Sequence, residues 1–323
     1  MPTMKMNKTV IPELNFVLDC ITDSEKKRLA SALLIIMYII TFFGNLLVIA
    51  VILADHQLHE PMFVYIGTLA TLDLAISSYV IGSMLSILLF NYSVVSQNVC
   101  LLQMAIVIYI EALISLILGI MAYDRYVAVL HPLRYHSIVT NKTVSAFLLL
   151  CNVFGFIAIT PFIISAKELP FCKTTVLPFC FCDYSTMVHV ACTNDPKYLF
   201  ILSIITVIFG GGPVVMILFS YSNIAYSALK ISSAEGKRKL YSTCSTQLLV
   251  VGLAYGPIFL SYMLPAAGVK WSTEAYNAMV IMGNISPPVF NPLIYSFRNQ
   301  EIKKSIYKFF TRKRNAAQIG TRK

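Results

Sequence analysis

Charge is what this chain has least of: Asp, Glu, Lys and Arg make up 12% of its 323 residues, against 57% hydrophobic ones. With a mean hydropathy of +0.73, that excludes an ordinary soluble globular domain, in which about 25% of residues are charged. Acidic residues are the scarcer sign, 15 against 25 basic. The resulting net charge of +10 is not a nucleic-acid footprint, because the basic side chains gather between and after long apolar runs instead of interleaving with aromatics on a polar domain. They read as topology signals set against anionic lipid. Histidine is absent from those runs: His56, His59, His131, His136 and His189 all fall in loops. An intramembrane enzyme needs a histidine metal site or paired carboxylates in its spans, so the chain does not read as an enzyme. No internal repeat is visible, which argues against a transporter built from matching halves. Residues 1 to 28 contain no apolar stretch of the signal-peptide kind, so the first long run is expected to act as the targeting segment.

Seven apolar runs are present, at about 29–53, 62–89, 99–125, 143–165, 197–229, 240–264 and 273–297. Each is long enough to cross a bilayer, and none alternates with period two, so each predicts a helix. The expected fold is an all-α membrane protein: an N-terminal tail (1–28), a seven-transmembrane helix bundle (29–297) and a C-terminal segment (298–323). In that last segment Ile302, Ile306, Phe309 and Phe310 recur at helical spacing, predicting a short amphipathic helix lying on membrane lipid ahead of a basic tail. Sixteen of the 25 Lys and Arg fall on the side that holds Arg125, the 230–239 loop and the tail. That side is assigned to the cytoplasm and the N-terminus to the exterior of a multi-pass plasma-membrane protein. Lys26, Lys27 and Arg28 before the first run favour the inverse locally, but the nine basic residues of the tail outweigh them.

Of eight cysteines, Cys20, Cys100, Cys172, Cys180, Cys182 and Cys192 share the oxidising outer side in this topology, whereas Cys151 and Cys244 lie in spans as packing residues. Six cysteines allow fifteen pairings, and their spacing matches no usual zinc pattern. Among four glycosylation sequons only Asn7 and Asn91 face outward, Asn7 from a polar tail and Asn91 from a short loop at the membrane edge.

The third run ends in Met121-Ala122-Tyr123-Asp124-Arg125-Tyr126. An arginine costs about 2.5–3.5 kcal/mol at the centre of a membrane helix, so Arg125 belongs at the membrane face. Cys100 lies 25 residues earlier, about 37 Å along a helix, so one helix can couple an outer anchor to an inner switch. Beside Asp124, Arg125 can fold back on the carboxylate or extend toward a partner's carbonyls. Pro213 after Gly210-Gly211-Gly212, Pro257 after Gly256, and Pro287-Pro288 before Pro292 interrupt the fifth, sixth and seventh runs and predict kinks there.

These residues carry a resemblance. Gly44-Asn45, Leu72-Asp73, Asp124-Arg125-Tyr126 and Asn291-Pro292-Leu293-Ile294-Tyr295 stand in order on four runs and resemble the rhodopsin-like G-protein-coupled receptors. Leu58-His59-Glu60-Pro61-Met62-Phe63, the stretch from Leu130 to Tyr135, Ser220-Tyr221, Lys230 to Lys239, Ser242-Thr243-Cys244 and Pro287-Pro288 are more specific, and resemble the olfactory receptors over nearly the whole chain. Gln247, where most of that family has histidine, Pro257, and the lack of a tryptophan in the fourth run mark a divergent branch.

The resemblance implies a receptor for a small-molecule odorant that activates a stimulatory, olfactory-type heterotrimeric G protein and raises cyclic AMP. A receptor for a small amine or other metabolite is the alternative. It implies a switch of Asp124, Arg125, Tyr126, Tyr221, Asn291, Pro292 and Tyr295, with Tyr221 and Tyr295 as resting partners of Arg125 and Glu235 a weaker one. It also implies disulfides Cys100–Cys182 and Cys172–Cys192, leaving Cys20 and Cys180 for a third bridge. No cofactor is implied beyond a sodium ion near Asp73, where Asn45, Asp73 and Asn291 would gather; the three side chains satisfying one another is the other reading.

Glu111 is this chain's own feature. It sits fourteen residues before Arg125, about 21 Å toward the outside, on the line Gln103, Val107, Glu111. Three roles fit: a counter-ion for a cationic or hydrogen-bond-donating ligand, a structural acid kept protonated by burial, or a partner of the Asp73 cluster. Thr206, Tyr255 and Tyr262 are its expected polar companions. Ile108, Ala112, Leu202, Ile205, Ile258 and Phe259, with Val107, are the expected apolar wall of a ligand pocket in the outer half of the bundle.

Overall fold

In a computed structural model of the chain, the structure describes residues 14–20, 23–172, 175–193, 195–230, 233–266 and 273–320. A short strand β1 (Asn15–Leu18) precedes helices α1 (Ser24–Ala54) and α2 (Pro61–Phe90), strand β2 (Val94–Ser96), α3 (Gln97–Leu130), the single turn α4 (Tyr135–Ile138), α5 (Asn141–Lys167) and β3 (Val176–Leu177). After the short α6 (Tyr184–Val190), α7 (Lys197–Ile205) runs through a π-helical stretch, Thr206–Gly211, into α8 (Gly212–Leu229). The chain then forms α9 (Ala234–Ala266), α10 (Thr273–Arg298) and α11 (Gln300–Gly320). Helices α1, α2, α3, α5 and the continuous rod of α7 and α8 are long and apolar enough to cross a membrane. Helices α9 and α10 pack on each other, and α10 also packs on α1 and α2. Leu29, Phe43, Leu53, Leu149 and Phe156 stay exposed on the outside, a surface that suits hydrocarbon and not water.

The helix ends follow their caps. α1 begins at Ser24, before the expected residue 29, because the Asp23 carboxylate accepts from the amides of Glu25 (2.8 Å) and Lys26 (3.0 Å) and so satisfies two orphan donors. α2 ends where Asn91 adopts a left-handed conformation, φ 56°, which asparagine tolerates better than most residues. The Asn91 Oδ1 accepts from Lys27 Nζ at 3.0 Å, so this expected glycosylation position is tied to α1. Asn7 lies outside the described residues.

Two expectations need correction here. The fold is not purely helical, and residues 14–20 are not a free tail. Strand β1 pairs antiparallel with β2 (Phe16 opposite Val95) and parallel with β3 (Val17 opposite Val176), in the order β2-β1-β3. The reason is apolar: Phe16 and Leu18 point inward and are buried, Phe16 standing edge-on to Phe171 with ring centroids 4.8 Å apart. The Cys20–Cys180 bridge, Cα to Cα 4.4 Å, pins this strand to the loop before α6. Cys100–Cys182 ties that loop to the start of α3, Cα to Cα 5.4 Å. The fold also brings together Cys172 and Cys192, the other expected pair. They lie side by side, with the Cys172 amide donating to the Cys192 sulfur at 2.8 Å.

Proline organises the core through the carbonyls it releases. A proline has no N–H, so the carbonyl four residues earlier loses its helical donor. Pro213 releases the carbonyl of Phe209, and Ser115 Oγ on α3 donates to it; the π-helical stretch lies at this break. Pro292 releases the carbonyl of Pro288, and Asn45 Nδ2 on α1 donates to it at 2.9 Å while also reaching the Thr41 carbonyl at 3.0 Å. The helices approach closely at the same places. A side chain at Gly44 would meet Pro292 Cγ at 3.0 Å, and one at Gly119 would meet Pro213 Cβ at 3.2 Å.

Asp55, in the turn after α1, docks α11. Ser305 Oγ donates to it at 2.8 Å and Lys308 Nζ at 3.3 Å. The Asn299 side chain caps α11, and Ile302 is fully buried. The Ser305 hydroxyl, then the Gln57 amide and the Lys308 ammonium, hold the Asp55 carboxyl below the ordinary carboxylate value despite some burial. A group depressed in the folded state stabilises above its unfolded pKa and loses that contribution as pH falls through the folded one. Docking of α11 is therefore expected to hold from neutral pH down to about 4 and weaken below it. Asp55→Asn should weaken docking at neutral pH and remove the acid dependence. The distance between spin labels on Gln57 and Tyr307, both exposed, reads this out.

Candidate functional site

A cavity of about 260 Å³ lies within the bundle beneath the disulfide-tied loop. Its wall comes from α2, α3, α5, the loop at Phe181 to Tyr184, α7 with the π-helical stretch, α9 and α10. Of the residues expected in a ligand pocket, Val107, Ile108, Glu111, Ala112, Leu202, Ile205, Thr206 and Tyr255 line this cavity. Phe259 does not: it is 61% exposed on the outer face of α9. The side chains of Ile258 and Tyr262 lie outside the described residues.

The polar companions of Glu111 also differ from expectation. Thr206 Oγ1 turns back to its own helix, donating to the Leu202 carbonyl at 2.9 Å. The Tyr255 hydroxyl pairs with Ser115 Oγ, so α3, α9 and the carbonyl of Phe209 meet at one serine. Glu111 instead shares the cavity wall with Asn284 on α10 and with Asp183. Asp183 caps α6, accepting from the amide and hydroxyl of Thr186 at 3.0 and 3.2 Å. It is held over the cavity because the Cys182 amide donates to Gln103 Oε1 at 3.1 Å and Gln103 Nε2 donates to Ser83 at 2.6 Å.

Asp73 reaches the cavity floor. Asn291 Nδ2 donates to its Oδ2 at 2.9 Å, but Asn45 is committed to the Pro288 carbonyl, so the expected three-residue cluster is reduced to two. Asp73 Oδ1 and Asn291 Oδ1 are buried with no hydrogen-bond partner among the described residues, an oxygen set that fits a small hard cation.

At the other end of α3, Arg125 is folded back: its Nη2 and Nε donate to Asp124 Oδ2 at 2.7 and 3.1 Å. The third partner is Tyr135, on α4, whose hydroxyl donates to Asp124 Oδ1 at 3.0 Å. The expected resting partners, Tyr221 and Tyr295, make no such bond; their hydroxyls are buried without a partner among the described residues. Both nonetheless pack in one hydrophobic cluster with Leu118 and Met121 of α3. Tyr126 packs its ring on Phe219 of α8, centroids 5.6 Å apart. Arg298 at the end of α10 donates to Ser245 on α9 at 2.8 Å, a tie the sequence reading missed.

A family model described as olfactory receptor matches residues 34–313. The chain is 33% identical to Olfactory receptor 7A10 of Homo sapiens over 304 residues, 94% of this chain and 97% of that one. It is 35% identical to Olfactory receptor-like protein I9 of Rattus norvegicus over 318 residues, 96% and 98% of the two chains. Olfactory receptor 2A12 of Homo sapiens is 31% identical over 312 residues, 97% of this chain and all of that one.

Proposed function

The chain belongs to the olfactory receptor family, and on that premise we propose that it binds a small odorant in the cavity between Glu111 and Tyr255 and activates a stimulatory heterotrimeric G protein, raising cyclic AMP. In this reading the bundle has seven membrane spans, with the disulfide end and N-terminus outside and α11 on the cytoplasmic face. The observation that carries it is the continuity of one helix. α3 presents Glu111 to the cavity and, on its last turns, the folded-back Asp124–Arg125 pair. Between them Tyr295 and Tyr221 pack in one cluster with Leu118 and Met121 of α3. A ligand that repositions α9 or α10 against α3 changes the surroundings of Arg125 directly, since Tyr255 and Asn284 face the same cavity. A sodium ion held by Asp73 and Asn291 would supply positive charge at the floor and stabilise the resting packing. A Cys172–Cys192 bridge belongs to the same reading, formed in the oxidising exterior.

The test is a cell line expressing the chain, challenged with volatile amines, acids and neutral compounds, with cyclic AMP as the readout. A concentration-dependent rise with at least one compound, absent in untransfected cells, is the expected result. Ligand-driven nucleotide exchange on a different class of G protein, with no cyclic AMP, would overturn the coupling.

A further inference from the structure

The cavity has an unusual balance of hydrogen-bonding groups. Asp73, Glu111 and Asp183 line it, and no Lys, Arg or His does so among the described residues, in a chain whose net charge is +10. Asn284 adds another acceptor. It is only 8% exposed, its Nδ2 donates to the Val280 carbonyl at 3.1 Å, and its Oδ1 is buried without a partner among the described residues. Pro287 and Pro288, also in the wall, remove the helical donors that the carbonyls of Gly283 and Asn284 would otherwise have. The hydroxyls of Ser115 and Tyr255 are spent on each other and on the Phe209 carbonyl.

Ionised carboxylates and an amide oxygen only accept. Glu111 and Asp183 face the same space, so a positive charge placed between them would offset the mutual repulsion of two ionised carboxylates. A protonated primary amine brings three donors and no acceptor, a match to Glu111, Asp183 and Asn284 Oδ1. Elsewhere in the wall Met104, Val107, Ile108, Leu202 and Ile205 offer apolar surface for a short hydrocarbon chain.

We propose, resting on the receptor reading above, that this cavity selects a small alkylammonium ion, its nitrogen between Glu111 and Asp183 beside Asn284 and its chain against α3 and α7. Alkylamines ionise much as lysine does, at about 10.4, and are cationic at neutral pH.

The experiment uses the full-length receptor in lipid nanodiscs, titrated with pentylamine, pentanol and pentanoate. Two readouts are followed, the thermal unfolding midpoint and nucleotide exchange on added stimulatory G protein. Pentylamine is expected to half-saturate the midpoint shift at a concentration at least about tenfold below pentanol, one decade of affinity, and pentanoate to give none. Glu111→Gln should raise the pentylamine value about tenfold and spare pentanol. Asp183→Asn, which keeps a good helix cap, should act in the same direction. If Glu111→Gln does not fold, the wild-type panel and Asp183→Asn decide. Equal binding of pentanol and pentylamine, or full amine preference in both variants, overturns the inference even if pentanol drives exchange and the receptor reading stands. Selective amine binding without any exchange leaves the inference standing and overturns the coupling.

Discussion

Arg125→Ala is expected to abolish ligand-driven nucleotide exchange while leaving ligand binding in the cavity measurable. Among the described residues Arg125 is the sole cation held against Asp124, and its side chain is 15% exposed beside a carboxylate that is 2% exposed. In the resting geometry the guanidinium is occupied by Asp124, and Asp124 is occupied by Arg125 and Tyr135. Engagement of a partner's carbonyls requires the fork to leave that carboxylate, and alanine has nothing to extend. Breaking a buried ion pair costs about 3–5 kcal/mol, so exchange is normalised to receptor at the cell surface. Tyr135→Phe is the complementary variant. It removes one hydrogen bond to a charged group, worth about 1.5–3 kcal/mol, from the resting form only. Basal exchange should then rise by about tenfold or more. Normal ligand-driven exchange in Arg125→Ala, or unchanged basal exchange in Tyr135→Phe, would remove Arg125 or Tyr135 from the switch.

The helices were legible because hydrocarbon admits so few alternatives: each expected apolar run lies on one described helix or rod, and shifts at the ends, as at Ser24, follow from a cap such as Asp23. Half of the internal polar network was legible too. Counting back four residues from Pro213 and Pro292 gives the freed acceptors, Phe209 and Pro288, but which donor meets them is decided by how helices face one another. Ser115 and Asn45 could not be chosen without that. Asn45 left the Asp73 cluster for this reason: a released carbonyl on α10 lies within its reach. Phe259 was misplaced because the rotation of α9 beyond the Pro257 break is set by packing. Asn284 reads in the sequence as a sequon inside a span, and only the arrangement of α3 and α10 around one cavity puts it on the same wall as Glu111. Tyr135 sits eleven residues beyond Asp124 in a turn, outside any helical spacing that would join them. The strand at Asn15–Leu18 was legible only as three apolar side chains, Phe16, Val17 and Leu18, in a tail, because its partners β2 and β3 come from separate loops.

The two disulfides are expected to separate in effect when each is removed. Loss of a native disulfide costs about 2–4 kcal/mol in general, but these bridges hold different things. Cys100–Cys182 fixes the loop whose next residue, Asp183, lines the cavity, and its neighbouring amide bond to Gln103 secures the same loop to α3. Cys100→Ser should therefore lower both receptor at the surface and ligand potency in whatever receptor survives, because the freed loop carries Phe181, Cys182, Asp183 and Tyr184 away from the cavity wall together. Cys20–Cys180 fixes β1, which also has Phe16, Leu18 and two strand partners to hold it. The double replacement Cys20→Ser with Cys180→Ser should cost thermal stability by a similar amount yet leave most receptor at the surface and the cavity intact. Surface labelling, unfolding midpoints and ligand potency, measured side by side for the two sets, check the ordering. Non-reducing peptide mapping must first find Cys100 joined to Cys182 and Cys20 to Cys180. If the double replacement proved as damaging to potency as Cys100→Ser, β1 would have to act on the cavity itself as well as cover the loop.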